Sequence, residues 1–249
     1  MQNYAKTAKS KGFVIGISGG IDSAVTSTLA AKTGFPVMCV EMPIHQVADQ
    51  VSRAQEHINW LKKNYSNVNS VDVELTTIFD SFINAVPAVE DSENRLRSLV
   101  NTRARLRMTT LYYFAQLHNY LVAGTGNKVE DFGIGFYTKY GDGGVDLSPI
   151  ADLMKTEVFV IGKTLGVCQN ILDANPTDGL WDDDRTDEDQ IGATYPELEW
   201  AMTFEGEEKN LSTRKKEVLT IYRSFHQANK HKMIPIPVCK IPKNLNSNN

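Results

Sequence analysis

Cysteine is scarce. The 249 residues hold three, Cys39, Cys168 and Cys239, far apart and odd in number. That excludes a disulfide framework, and without a CxxC pair it excludes a cysteine-held metal. Each thiol is expected to be a small buried hydrophobe in a reducing cytoplasm. Long apolar runs are missing as well: nothing approaches the roughly 18 consecutive apolar residues of a membrane span. Residues 1–11 carry no apolar h-region, so no secretory signal is expected. There is no basic excess. The 26 Lys and Arg against 30 Asp and Glu leave a net charge of −4, which argues against a dedicated nucleic-acid binder. No solenoid-type repeat occurs. What remains is an ordinary globular composition, 41% hydrophobic and 22% charged, sufficient for one domain over 1–249 with an Asn-rich, frayed tail at 243–249.

The pattern alternates strand and helix. Residues 12–18 (GFVIGIS) form a short apolar run ending in glycines, expected as a buried strand. Residues 22–32 follow as a helix with Gly34 at C′. Strands are expected at 36–42, 71–75 and 120–124, and helices at 46–63, 92–118, 155–165, 196–202 and 212–229. Strands spaced by such helices imply βαβ units and a mainly parallel, doubly wound α/β sheet sandwiched by helices. Ligands then sit beyond the carboxyl ends of the strands. The loops after Ser18 and Gly124 are therefore the informative ones.

The first is Gly16-Ile17-Ser18-Gly19-Gly20-Ile21-Asp22-Ser23. Adjacent glycines let backbone amides approach an anion, and the helix that follows adds free N–H groups and a positive dipole end. The loop suits phosphate, yet it lacks the lysine of a Walker loop and the spacing of G-x-G-x-x-G. Asp22 is out of place beside phosphate unless a magnesium ion lies between them. The second loop, Gly124-Thr125-Gly126-Asn127-Lys128-Val129-Glu130, offers another hard carboxylate that can share that magnesium. Lys155 opens a helix against the positive dipole end, which hints at an anionic partner. Arg103 and Arg107 share a face of the 92–118 helix while Arg105 points away. Six acidic residues in 182–189 disfavour a helix and predict a loop.

The string SGGxDS resembles the pyrophosphate-gripping loop of the N-type ATP pyrophosphatases. Four further segments resemble the ammonia-dependent NAD synthetases: the loop 124–130, the run 138–149 (TKYGDGGVDLSP), Lys155 with Pro176-Thr177, and His231-Lys232. The resemblance spans residues 16–237. It implies a Rossmann-like fold in which Gly16, Ile17, Ser18, Gly19, Gly20, Ile21, Asp22, Ser23, Thr125, Lys155 and Thr177 bind ATP. By the same resemblance Arg105, Lys139, Asp146, His231 and Lys232 bind deamido-NAD, and Asp22 and Glu130 bind Mg2+. It further implies a cytoplasmic homodimer that amidates deamido-NAD through an adenylate, with 182–189 closing over the site. No residue stands out as a covalent nucleophile. No glutaminase fits within 249 residues, so free ammonium is the expected nitrogen source. A non-catalytic adenine-nucleotide module is the alternative from another class; it would not need Glu130, Lys139, Asp146 and His231-Lys232 together.

Overall fold

The computed structural model describes residues 1–46, 48–90, 92–177 and 186–242, without the side chains of 48 and 49. The expected tail at 243–249 lies outside the described residues. After the short helix α1 (Gln2–Thr7), the chain forms β1 (Gly12–Gly16), α2 (Ile21–Lys32), β2 (Val37–Glu41), α3 (Ala48–Asn64) and β3 (Val68–Asp72). Then come α4 (Thr76–Ala85), α5 (Glu93–His118) and β4 (Tyr120–Val122). The strands are all parallel in the order β3-β2-β1-β4. The chain thus leaves β1 in one direction and returns on its other side, so the switch point lies between β1 and β4, where an open α/β sheet binds ligands. Residues 146–147 extend the edge beyond β4, with a parallel bridge from Ala123 to Leu147.

Both faces of the sheet are covered, as parallel strands require. Phe13, Ile15, Val37 and Cys39 pack under α2 and α3, with Ala30, Ala31, Ile58 and Leu61. Val14, Val40 and Val122 pack on the opposite face against Phe79 of α4 and Ala115 of α5. Gly34 has φ +78°, the left-handed C′ position read from the sequence.

Among the described residues the regular elements after β4 are helical: a six-residue π-turn (Val129–Ile134), α6 (Lys155–Leu165), α7 (Gln169–Leu172), α8 (Asp187–Ile191), α9 (Tyr195–Thr203), a 3-10 turn (Glu208–Asn210) and α10 (Thr213–Met233). Among the described residues no helix is long and apolar enough to cross a membrane.

Several expectations need correction. The third strand starts at Val68, three residues before 71, because residues 73–75 are already the exit: Val73 donates to the Glu41 carbonyl and Leu75 caps α4. The helix α4 had no counterpart in the reading. Of the expected loop 182–189, residues 182–185 lie outside the described residues and 187–189 open α8. There Thr186 Oγ1 accepts from Asp189 N at 3.1 Å, and Asp189 Oδ2 accepts from Thr186 N at 3.0 Å. Acids in a first turn face the positive helix end, so the charge starts a helix here. Of the cysteines only Cys39 is buried; Cys168 caps α7 half-buried, and Cys239 lies exposed beyond α10.

Candidate active site

The turn from β1 into α2 is tight. Gly19 has φ +79°, and a Cβ there would stand 2.6 Å from the Gln50 carbonyl on α3. Only glycine fits so close an approach. Ser18 and Ser23 brace the turn: their hydroxyls lie 3.2 Å apart, and Ser18 Oγ accepts from Gly20 N at 3.2 Å. The first N–H groups of α2 have no partners within the helix, which leaves a cradle for an anion.

Beside this cradle, two carboxylates converge on one lysine. Lys155 Nζ donates to Asp22 Oδ2 at 2.5 Å and to Glu130 Oε1 at 3.0 Å, with Lys155 only 3% exposed. The residue that was unfavourably placed at a helix start thus has its anionic partners. Burial alone would lower the lysine pKa; Asp22, then Glu130, outweigh it and hold it raised. Burial pushes Asp22 up, opposed by Lys155. For Glu130 burial acts upward too, but Lys155 and the Tyr195 hydrogen bond prevail, so its pKa falls.

Asn127, fully buried, sets both acids. Its Nδ2 donates to Asp22 Oδ1 at 3.1 Å, while its Oδ1 accepts from Val129 N and Glu130 N at 3.1 and 3.2 Å. Tyr195 adds a second brace: its hydroxyl lies 2.6 Å from Glu130 Oε1 and 3.1 Å from Asp187 Oδ2. Sequence reasoning left Asn127 without a role and missed Tyr195 and Asp187. Asn127 had a signal, an amide three residues before a carboxylate after a glycine turn. Tyr195 had none, because its contact spans 65 residues.

A cavity of about 530 Å³ opens over these groups. Residues 16–23, Thr125, Glu130, Lys155, Thr177 and Lys232 line it. An annex of about 120 Å³ adjoins it, lined by Asp131, Tyr137, Asp142 and Lys232. Burial, then the Glu130 charge, raises Asp131 to about 7.

Arg105, Lys139 and His231 do not line the cavity, but the structure gathers them. Arg105 Nη2 donates to the Lys139 carbonyl at 3.3 Å, and Lys139 Nζ to the His231 carbonyl at 3.1 Å. Lys232 Nζ donates to the carbonyls of Gly135 and Tyr137 at 2.8 and 2.7 Å. Asp146 stands apart from the cavity lining and holds the sheet edge: Oδ2 accepts from Val122 N at 2.8 Å and Oδ1 from the Tyr112 hydroxyl at 3.1 Å. On α5 the three arginines separate as their spacing predicts. Arg103 is buried with its guanidinium 4.9 Å from the Phe79 ring centroid; Arg107 donates to the Met42 carbonyl at 3.0 Å and to Gln46 Oε1 at 2.8 Å; Arg105 is exposed.

The donor set suits Mg2+. Asp22 and Glu130 are hard oxygen donors held around a single positive charge, and magnesium is commonly held by one or two carboxylates together with substrate phosphates. Fold and site together define a nucleotide-handling α/β enzyme with an anion cradle at its switch point. The NAD synthase family model matches residues 1–235. The NH3-dependent NAD(+) synthetase of Mesoplasma florum is 41% identical over 216 residues, 86% of this chain and 85% of that one. Among solved structures, the NMN synthetase of Francisella tularensis superposes with a TM-score of 0.84 at 33% identity, covering 96% of this chain and 94% of that one. The NH3-dependent NAD synthetase of Campylobacter jejuni gives 0.75 at 27%, with the same coverages. The chain belongs to the NAD synthase family. It is a ligase of NAD biosynthesis.

Proposed function

We propose that the chain makes NAD from deamido-NAD, ATP and ammonium, releasing AMP and pyrophosphate. The observation that carries this is the Asp22–Lys155–Glu130 cluster beside an anion cradle, 2.5 and 3.0 Å across its two ion pairs. A carboxylate resists amination because oxide would have to leave. Here the nicotinate oxygen attacks the α-phosphorus of ATP and the bond to pyrophosphate breaks. Ammonia then adds to the acyl carbon of the adenylate, AMP departs, and one proton is lost. The chain supplies positioning and charge rather than a nucleophile. Residues 16–23 cradle the phosphates, Lys155 neutralises charge, and Thr125 and Thr177 complete the ATP site. Mg2+, held by Asp22 and Glu130, would neutralise charge on the departing pyrophosphate. Asp131 and Asp142 make the annex a suitable seat for ammonium.

Arg105, Lys139, Asp146, His231 and Lys232 are the proposed deamido-NAD residues, completed across a homodimer in the cytoplasm. Apolar side chains exposed on α4 and α5 suit such an interface: Ile78, Phe82, Leu96, Tyr113 and Leu117. A second reading replaces the dinucleotide with nicotinate mononucleotide. It is favoured by the match to an NMN synthetase at TM-score 0.84 and by Arg105, Lys139, Asp146 and His231 lying off the cavity lining. Magnesium-dependent pyrophosphate release, measured with each dinucleotide or mononucleotide acid alone, tests both. Release with deamido-NAD supports the first reading; release only with the mononucleotide replaces it.

A further inference from the structure

Glu41 takes no part in the chemistry above. It ends β2, is 5% exposed, and lines the main cavity. Its Oε2 accepts from Gln55 Nε2, which also donates to Asp72 Oδ1 at 3.0 Å. Glu41 and Asp72 are register partners across β2 and β3, so one amide braces both acids. Glu41 Oε1 takes no hydrogen bond from any described residue. Burial raises this carboxyl pKa above its ordinary value, opposed by the Gln55 hydrogen bond and helped by the Asp72 charge. This oxygen is not among the buried unpartnered atoms, so it opens to the cavity and can accept from a bound ligand.

Lys155 and Glu130 come from segments after β4, so the groups proposed to meet the polyphosphate lie on the β4 side of the β1 loop. The same cavity runs on past residues 16–23 to Glu41, Met42 and Pro43 at the end of β2, which leaves room there for the base. Arg107 ties that end to α5 through the Met42 carbonyl and Gln46 Oε1.

We propose that Glu41 Oε1 accepts a hydrogen bond from the exocyclic amino group of adenine and so selects ATP over 6-oxo purine nucleotides. Adenine offers an N–H donor at position 6. Hypoxanthine and guanine present an oxygen there, which a buried carboxylate repels and leaves unpaired. Glu41 is a specificity residue, and Gln55 positions it. The assignment rests on ATP being the nucleotide of the proposed reaction.

The test compares ATP with ITP by pyrophosphate release in the presence of deamido-NAD, as the ratio of kcat/KM values within each preparation. Taking the ratio cancels any loss of folded protein. The unmodified chain should prefer ATP. Glu41→Ala should lower that preference roughly tenfold to a hundredfold, the loss expected for one hydrogen bond to a charged group. Glu41→Gln, which keeps an acceptor oxygen, should retain more of it. An ATP:ITP ratio unchanged in both variants overturns the assignment while leaving the reaction standing. If the unmodified chain releases no pyrophosphate with either nucleotide, the reaction itself is overturned, and this assignment with it.

Discussion

At the scale of residues, the site is an electrostatic balance around Lys155. Its ammonium is buried and shared by two carboxylates. Lys155→Met leaves Asp22 and Glu130 facing each other without a counter-charge, and should cost about 3–5 kcal/mol in urea unfolding. Disrupting the more exposed Arg214–Glu197 pair with Glu197→Gln should cost about 1 kcal/mol or less. A smaller loss for Lys155→Met than for Glu197→Gln would contradict the geometry. Asp22→Asn should abolish turnover in a chain that still folds, checked by product formation alongside circular dichroism. Gly19→Ala combines left-handed strain of about 1–2 kcal/mol with a 2.6 Å contact to the Gln50 carbonyl, so ATP affinity should fall in a calorimetric titration. Much of this was legible from the sequence. Asp22 was conspicuous as a carboxylate in a phosphate loop, and Lys155 as a cation at the wrong helix end. Tyr195 and Asp187 were not, since nothing local links either to Glu130. The sequence also gave no sign that Asp146 holds the β4 backbone, because that contact is a matter of register at the sheet edge.

At the scale of elements, the phosphate loop is held by α2 packing on α3. His57 of α3 is fully buried, with Nε2 2.9 Å from Ser27 Oγ of α2 and its ring stacked on Trp60. Burial lowers its pKa from 6.5 to about 4. The folded state therefore refuses a proton that the unfolded chain accepts. Stability from this group is complete above pH 6.5 and is lost as pH falls toward 4, by about 3 kcal/mol in all. Denaturant unfolding across that range should show the loss, and His57→Gln should flatten it; an equal slope in the variant would remove His57 as the cause. The same scale shows where periodicity misleads. Residues 71–75 alternate like a strand, but the sheet takes residues 68–72 and hands Leu75 to α4. The acid-rich segment looked unfit for a helix until the cap at Thr186 turned its charge to advantage.

At the scale of the whole molecule, the sheet order places the cradle, the carboxylate pair and Glu41 along one crevice. The strand–helix alternation makes that plan readable in the sequence. The outer surface was not readable, because exposed apolar residues carry no periodic signature of a partner. If α4 and α5 form the dimer face, Tyr113→Asp should shift sedimentation from dimer to monomer and weaken deamido-NAD binding together; a monomeric variant of full affinity would detach the substrate residues from the interface. The most direct measurement follows NAD and AMP in one reaction containing deamido-NAD, ATP, magnesium and ammonium. The two should rise in equal amounts, and omission of ammonium should stop NAD formation. A folded, ATP-binding chain that forms no NAD under these conditions would contradict the proposed reaction.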